Sequence, residues 1–357
     1  MPDLQLLSDR LIAGGFIRPA VLLRGLQLGR PMLSRWPVII PLSVSGLIVE
    51  PLAWLQELLI AQRLQRLVLP NDPIVVIGHW RSGTTYLHQL FAADPAMATA
   101  RNALTVAPQV AVLLRPWLRP LLGRLMTRVR PIDAVPWGPD DPQEDEVGLA
   151  RLTMDNNMAG MAFPRDYLFH LRRSVIASTA DFERQWLRFT RLTWLHDGEG
   201  KSRLLIKNSA HSARVPMLLK AFPRARFVLL TRPPLDSIRS LVQVKQRLAD
   251  LVGLQSKPSL LRQVDETVIA HRELMAAFES SRHFIPTGQL LDVEFSDLVS
   301  RPLETVQRIY TSFDLEGWSE AEAPIRQRIA KARTYKADAV DLPEAVEHHL
   351  RDCLGVV

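Results

Sequence analysis

Cysteine is almost missing from this chain: of 357 residues only Cys353 is one. No intrachain disulfide can form and no cysteine-based zinc site can be built from a single thiol, which fits a reducing compartment and a cytoplasmic location. Aromatic residues are sparse at 7%, and they are dispersed instead of interleaved with basic residues. A nucleic-acid surface that stacks bases on aromatic rings is therefore not expected. Long uncharged runs are missing as well. The longest, Trp36 to Val49, has 14 residues and contains Pro37 and Pro41. It falls short of the roughly 18–20 residues that span a bilayer, so no transmembrane helix is expected. The opening MPDLQLLSDRLIAGG lacks a basic segment leading into an uninterrupted apolar one, and no signal peptide is expected.

What is present points to a folded α/β protein. With 47% hydrophobic and 23% charged residues the chain can bury one large domain or two smaller ones. The net charge of +7 favours anionic partners without choosing among them. Residues 1–70, rich in Leu and Arg, read as several short helices, including an amphipathic stretch from Pro51 to Leu69. They form an N-terminal helical cap ahead of a main domain at 71–357. PIVVIG at 73–78 reads as a buried parallel strand, followed by helix-period residues Leu87, Leu90 and Phe91. Residues 103–200 read as a helical, substrate-facing insertion: kinked helices broken by Pro108, Pro116 and Pro120, a Pro-rich acidic loop at 131–146, and a helix at 180–196. RLLIK (203–207), RFVLLT (226–231) and QLLDVEF (289–295) read as strands. Helices are expected at 212–221, from about Pro234, and at 259–281, 302–313 and 319–335. The alternation implies a parallel β-sheet flanked by helices, with right-handed crossovers.

Gly78-His79-Trp80-Arg81-Ser82-Gly83-Thr84-Thr85 gives the spacing G-x-x-x-x-G-T-T between a strand and a helix. Two glycines let the backbone turn tightly, so its N–H groups and the helix N-terminus can cradle a phosphate. A nucleotide triphosphatase would place Lys where Thr84 stands; here the cation comes earlier, as Arg81. At the end of RFVLLT, a magnesium-binding Asp is replaced by Arg232, with Ser240 eight residues on. Arg232 and Ser240 can grip a second phosphate from two sides; the alternative is a structural ion pair between Arg232 and Asp236.

These elements resemble the PAPS-dependent sulfotransferases. In that family a strand-turn-helix P-[KR]-[ST]-G-[ST]-T binds the donor 5′-phosphosulfate, matched by Trp80 to Thr85, and a strand-terminal Arg with Ser eight residues later binds the 3′-phosphate, matched by Arg232 and Ser240. VEFSDLVSRPLETVQRIYTSFDL (293–315) is similar to a further family segment. His79-Trp80 departs from the usual apolar-Pro pair, and Ser296 stands where Glu normally precedes Asp297. The resemblance implies PAPS as co-substrate, held by Arg81, Ser82, Gly83, Thr84, Thr85, Tyr86, Arg232 and Ser240, with no metal. It implies sulfuryl transfer to a hydroxyl or amine, the acceptor small or lipidic.

In-line transfer needs positioned cations on the leaving oxygens and a base for the acceptor proton. Lys207 is expected at the bridging oxygen or sulfuryl group, beside Arg81. His211 is the first choice for the base, because an imidazole titrates near neutrality, although it follows Lys207 by four positions where the family has two. Glu144 or Glu146 of the acidic cluster at 144–146 is the second, against a reading as a solvated charge run or helix cap. His88 reads as packing or surface, and His348-His349 as surface without companion ligands. A nucleotide kinase remains the alternative function, and the Leu-, Trp- and Arg-rich helices at 20–66 and 103–130 read either as a cap or as a membrane-surface element at the inner face of a membrane.

Overall fold

The computed structural model describes residues 2–127, 129–133, 135, 137–332 and 341–356. The chain opens with α1 (Pro2–Gly14), α2 (Pro19–Gly29) and α3 (Trp36–Arg66). The sequence predicts short helices here, yet α3 runs for 31 residues through Pro41 and Pro51. Packing overrides the propensity of proline to end a helix. One face, including Val38, Leu42, Val49 and Leu64, is buried, and Gln56 pins it: its amide donates to the Pro108 carbonyl (3.0 Å) and accepts from the Val112 N–H (2.9 Å). By length and composition Leu33–Arg66 matches a membrane-crossing helix, against the expectation that none is present.

The phosphate-turn region follows as β1 (Ile74–Gly78) and α4 (Thr84–Phe91). After the two-residue strand β2 (Met97–Ala98) come α5 (Asn102–Thr105), α6 (Arg115–Leu125), α7 (Asp145–Leu149), α8 (Met158–Ala162), α9 (Tyr167–Leu171) and α10 (Ala180–Asp197). The second half alternates: β3 (Arg203–Lys207), α11 (Val215–Ala221), β4 (Arg226–Thr231), α12 (Pro234–Val252), α13 (Leu260–Arg282) and β5 (Leu290–Glu294). Helices α14 (Phe295–Ser300), α15 (Pro302–Ser312), α16 (Trp318–Ala332) and α17 (Glu344–Leu354) complete it.

The sheet is parallel, in the order β2-β3-β1-β4-β5. Alternate residues of β1 serve different cores. Val75 and Ile77 meet Trp186 and Phe189 of α10 together with Ile60 of α3, whereas Ile74 and Val76 meet Leu87 and Phe91 of α4 and Ile309 of α15. Burial on both faces explains why these strands read as continuous apolar runs. Register then sets the site. Gly78 stands opposite Leu230, so the chain leaves β1 and β4 side by side, while β3 flanks β1 on its other edge. The C-terminal ends around such a switch point are where open α/β sheets bind ligands.

Burial also dictates a response to acid. His170 and His196 are pushed down to about 4 and His79 to about 3, in each case chiefly by desolvation of the charged ring. Unfolded, each protonates near 6.5, so the unfolded state binds more protons between that pH and about 4. Stability is therefore complete above pH 6.5 and falls as pH drops through this window, by about 1.4 kcal/mol per pH unit for each such histidine. Urea denaturation midpoints measured from pH 7.5 to 4.5 check this; a flat profile would contradict the buried, neutral assignment.

Candidate active site at the strand ends

The turn after β1 is built around two positions where a side chain cannot sit. Gly78 has φ +135° and a Cβ there would lie 2.3 Å from the Leu230 carbonyl oxygen; Gly83 has φ +96° and a Cβ would meet the Phe295 ring at 2.4 Å. Arg81 adopts φ +68° between them. Gly83 caps α4 with no side chain bonded to the helix N-terminus, and the Gly78 N–H is held by Ser212 Oγ at 3.0 Å. The turn thus sets the N-terminus of α4, without a side-chain cap, at the C-terminal end of the central strand, the arrangement that suits a phosphate.

Arg81 and Arg232 converge there. Arg81 Nε donates to Ser240 Oγ (3.0 Å), and Arg232 Nη1 donates to the Arg81 carbonyl (3.0 Å) while its guanidinium lies 4.5 Å from the Phe295 ring centre. The two strand ends and the first half of α12 therefore meet in one place. The ion pair between Arg232 and Asp236 does not form: Asp236 pairs with Arg239 (3.7 Å), and among the described residues no acid lies within ion-pair distance of Arg232. Burial lowers the pKa of Arg232, Asp236 offsets this in part, and Arg81 and Arg239 add to the lowering. Among the described residues, then, Arg232 has no ion-paired carboxylate.

Sequence reasoning missed a third partner. Asp133, in the 131–146 loop, accepts from Arg81 Nη1 (2.9 Å) and from Arg130 Nε (2.9 Å). Burial alone would raise its pKa, but Arg130 and Arg81 together hold it below the usual carboxylate range. The loop's contact with the phosphate turn had no local signal, because it joins residues 52 positions apart.

A cavity of about 780 Å³ opens at these strand ends, large among small-molecule sites. Its polar lining includes Arg81, Thr84, Thr85, Lys207, Arg232 and Glu144; Gly83, Tyr86 and Glu146 also line it. Ser82 turns away, its hydroxyl buried and without a partner among the described residues. Ser240 reaches the site through Arg81. Apolar side chains line the cavity as well, Ile12 of α1, Met158 and Met161 of α8, and Leu241, Leu248 and Leu251 of α12, most of them packed in one cluster.

The acidic cluster divides its roles. Glu144, ahead of α7, faces the cavity: Oε2 pairs with Lys207 Nζ (3.1 Å) and Oε1 accepts the Ser209 N–H (3.0 Å). Asp145 lies away from the cavity, and Glu146, although part of its wall, is nearly fully buried. Glu146 is bound by the buried Arg214 (2.9 Å), whose guanidinium stacks 3.7 Å from the Phe182 ring centre. Asp145 accepts from Asn208 (2.6 Å) and Trp186 Nε1 (3.1 Å) and contacts His211 Nε2 (3.0 Å). Burial would raise Asp145, but His211 and Arg214 outweigh it and lower its pKa.

The structure does not bring His211, the first expected base, to the cavity. His211 has no exposed surface, does not line the cavity and is spent on Asp145. It sits on the 3₁₀ turn Ser209–Ala213, which points it into the core one turn past Lys207. His88 is buried, 2.7 Å from Thr99 Oγ1, as a packing residue. His349 does have companions, unlike the expectation: it meets Asp265 (2.6 Å) and lies 3.6 Å from Cys353 Sγ.

Residues 73–320 match the model of a sulfotransferase family. Over 315 residues the chain is 25% identical to the omega-hydroxy-beta-dihydromenaquinone-9 sulfotransferase Stf3 of Mycobacterium bovis and to that of Mycobacterium tuberculosis, covering 87% of this chain and 80% of each relative. The fold is similar to that of sulfotransferase STF1 from Mycobacterium tuberculosis, with a TM-score of 0.61 at 20% identity over 93% of this chain and 90% of that one. It is also similar to sulfotransferase STF9 from Mycobacterium avium, with a TM-score of 0.61 at 18% identity over 84% and 79%.

Proposed function

The chain belongs to the sulfotransferase family, and from that premise we propose that it moves a sulfuryl group from PAPS to the hydroxyl of an acceptor with a long apolar portion. The observation that carries the donor is the convergence of Arg81 and Arg232 at adjacent strand ends, where Arg232 has no acidic partner among the described residues. The turn's glycines leave backbone space and no side chain caps the α4 N-terminus, so the residues present fit a nucleotide carrying anions at both ends. When bound, the donor supplies an activated sulfuryl group on a phosphate leaving group.

This chain's residues then do three things. The α4 amides, Thr84 and Thr85 hold the 5′ end, and Arg232 with Ser240 holds the 3′ end. Lys207 and Arg81 neutralise charge on the leaving oxygen, so no divalent cation has to be held for that purpose. Glu144 accepts the acceptor's hydroxyl proton as the acceptor oxygen bonds to sulfur and the sulfur–oxygen bond to the nucleotide breaks. Lys207, 3.1 Å from Glu144, holds the carboxylate in the cavity wall. The nucleotide-kinase alternative loses its basis in the family membership and in the missing P-loop lysine.

The apolar lining supports an acceptor of lipidic character, and the relative named for a hydroxylated menaquinone supports the same class. We place the protein on the cytoplasmic side of a membrane, consistent with its single cysteine. Calorimetric titration with adenosine 3′,5′-bisphosphate in EDTA tests the donor reading, with saturable binding expected. Transfer of labelled sulfuryl from PAPS to ω-hydroxylated isoprenoid acceptors tests the acceptor. Absence of bisphosphate binding by the folded protein would overturn the donor assignment.

A further inference from the structure

Helix α3 buries one face and leaves the other bare. Trp36, Ile40, Val44, Leu47, Ile48, Trp54 and Leu58 are exposed large apolar residues, with Leu58 79% and Ile48 68% accessible. At 100° per residue they fall within about one third of the helix circumference, along a helix about 46 Å long. A soluble domain rarely leaves so long an apolar stripe uncovered. The other face is fixed to the protein, since Ser45 Oγ accepts the Phe16 N–H (2.9 Å) and a Cβ on Gly46 would lie 2.1 Å from the Ile17 carbonyl oxygen. A helix so anchored along one side can lie in an interface but cannot leave the domain to span a bilayer alone.

Charge follows the same division. Both acids of α3 are removed from the apolar arc by ion pairs, Glu50 with Arg18 (2.5 Å) and Glu57 with Arg188. The helix is flanked by Arg30 and Arg35 before it and carries Arg63 and Arg66 in its last turn. Residues 1–66 hold seven arginines against four acids. Apolar residues with tryptophans on one face and arginines at the rim fit an anionic lipid surface. The same region walls the catalytic cavity. Ile12 of α1 lines the cavity, α1 packs on α3, and Leu4, Leu6 and Leu7 at the other end of α1 are exposed.

We propose that the exposed face of α3 rests on an anionic bilayer and that α1 borders the route by which a membrane-embedded acceptor inserts its chain into the cavity. This rests on the sulfotransferase reading for the acceptor, but the docking itself does not. The test uses the full chain and extruded vesicles of phosphatidylcholine with and without phosphatidylglycerol, read by flotation. The wild type is expected to float with the anionic vesicles, and Leu47→Glu/Leu58→Glu to lose at least about tenfold in partitioning. Both leucines are exposed, so the variant should keep the wild-type melting temperature and bisphosphate affinity. It should also keep turnover on a short, water-soluble hydroxyl acceptor while losing it on a vesicle-borne one. Failure of the wild type to float, or equal flotation of the double variant, overturns the proposal. So does sedimentation showing a dimer that the two substitutions dissociate, which would assign the face to a second copy. Bisphosphate binding measured without vesicles keeps these outcomes separate from failure of the sulfotransferase reading.

Discussion

Arg232→Ala should lower affinity for adenosine 3′,5′-bisphosphate by roughly 100-fold, the usual scale for removing one partner of a buried, hydrogen-bonded charge pair. Arg81 and Arg239 both disfavour the charge on Arg232, and the acids nearby are committed elsewhere: Asp133 to Arg81 and Arg130, Asp236 and Glu347 to Arg239. Positive charge gathered without matching acid is unfavourable until an anion arrives, so binding recovers energy that folding left unspent. Arg232 is the cleaner probe of the pair. It donates to a backbone carbonyl and lies over Phe295, and among the described residues its loss breaks no ion pair. Arg81→Ala would also weaken binding, but it places alanine at φ +68° and takes one cation from buried Asp133. Arg81→Lys therefore complements it, keeping the charge and losing the planar fork. Titration calorimetry checks both, with melting temperatures as the folding control. Wild-type affinity in Arg232→Ala would sink the 3′-phosphate assignment.

Much of this site was legible before any coordinates, for identifiable reasons. β1, β3 and β4 are buried on both faces, and that burial writes itself as IVVIG, RLLIK and RFVLLT. The phosphate turn is a local structure whose backbone demands glycine at two places, so its spacing survives in the chain. Arg232 lies at a strand terminus and Ser240 on the next helix, and parallel pairing of β1 with β4 brings both to Arg81. What escaped reading depends on orientation or on distant contacts. Glu144, Asp145 and Glu146 are indistinguishable as a run of acids, but the start of α7 turns Glu144 toward Lys207 while its neighbours face Arg214 and Asn208. His211 carries the right chemistry at the wrong place because a 3₁₀ turn follows β3. In α3, the prolines that signal a break are tolerated because tertiary contacts, Gln56 among them, hold the helix across them.

Glu144→Gln should cut turnover by roughly 10²–10⁴-fold while leaving bisphosphate affinity within about twofold, because general-base catalysis contributes on that scale and Glu144 lines the cavity without being one of the residues assigned to the nucleotide's phosphates. Glutamine keeps the size of the side chain and can still accept the Ser209 N–H through its oxygen, so position is largely preserved. What it loses is the capacity to take a proton and the attraction to Lys207, itself 5% exposed. Lys207→Met separates these two losses. If Lys207 only orients Glu144, the double variant should be no worse than Glu144→Gln; if Lys207 also steadies the leaving oxygen, the two losses accumulate. His211→Ala supplies the contrast. It removes a hydrogen-bond partner from buried Asp145, which keeps Asn208 and Trp186, so it should cost stability, roughly 1–3 kcal/mol, with single-turnover rates near wild type in the protein that remains folded. Single-turnover transfer from labelled PAPS, beside urea denaturation of each variant, distinguishes the two residues. Wild-type turnover in Glu144→Gln together with a large rate loss in stably folded His211→Ala would return the base to the histidine, and would require its ring to leave Asp145 and enter the cavity.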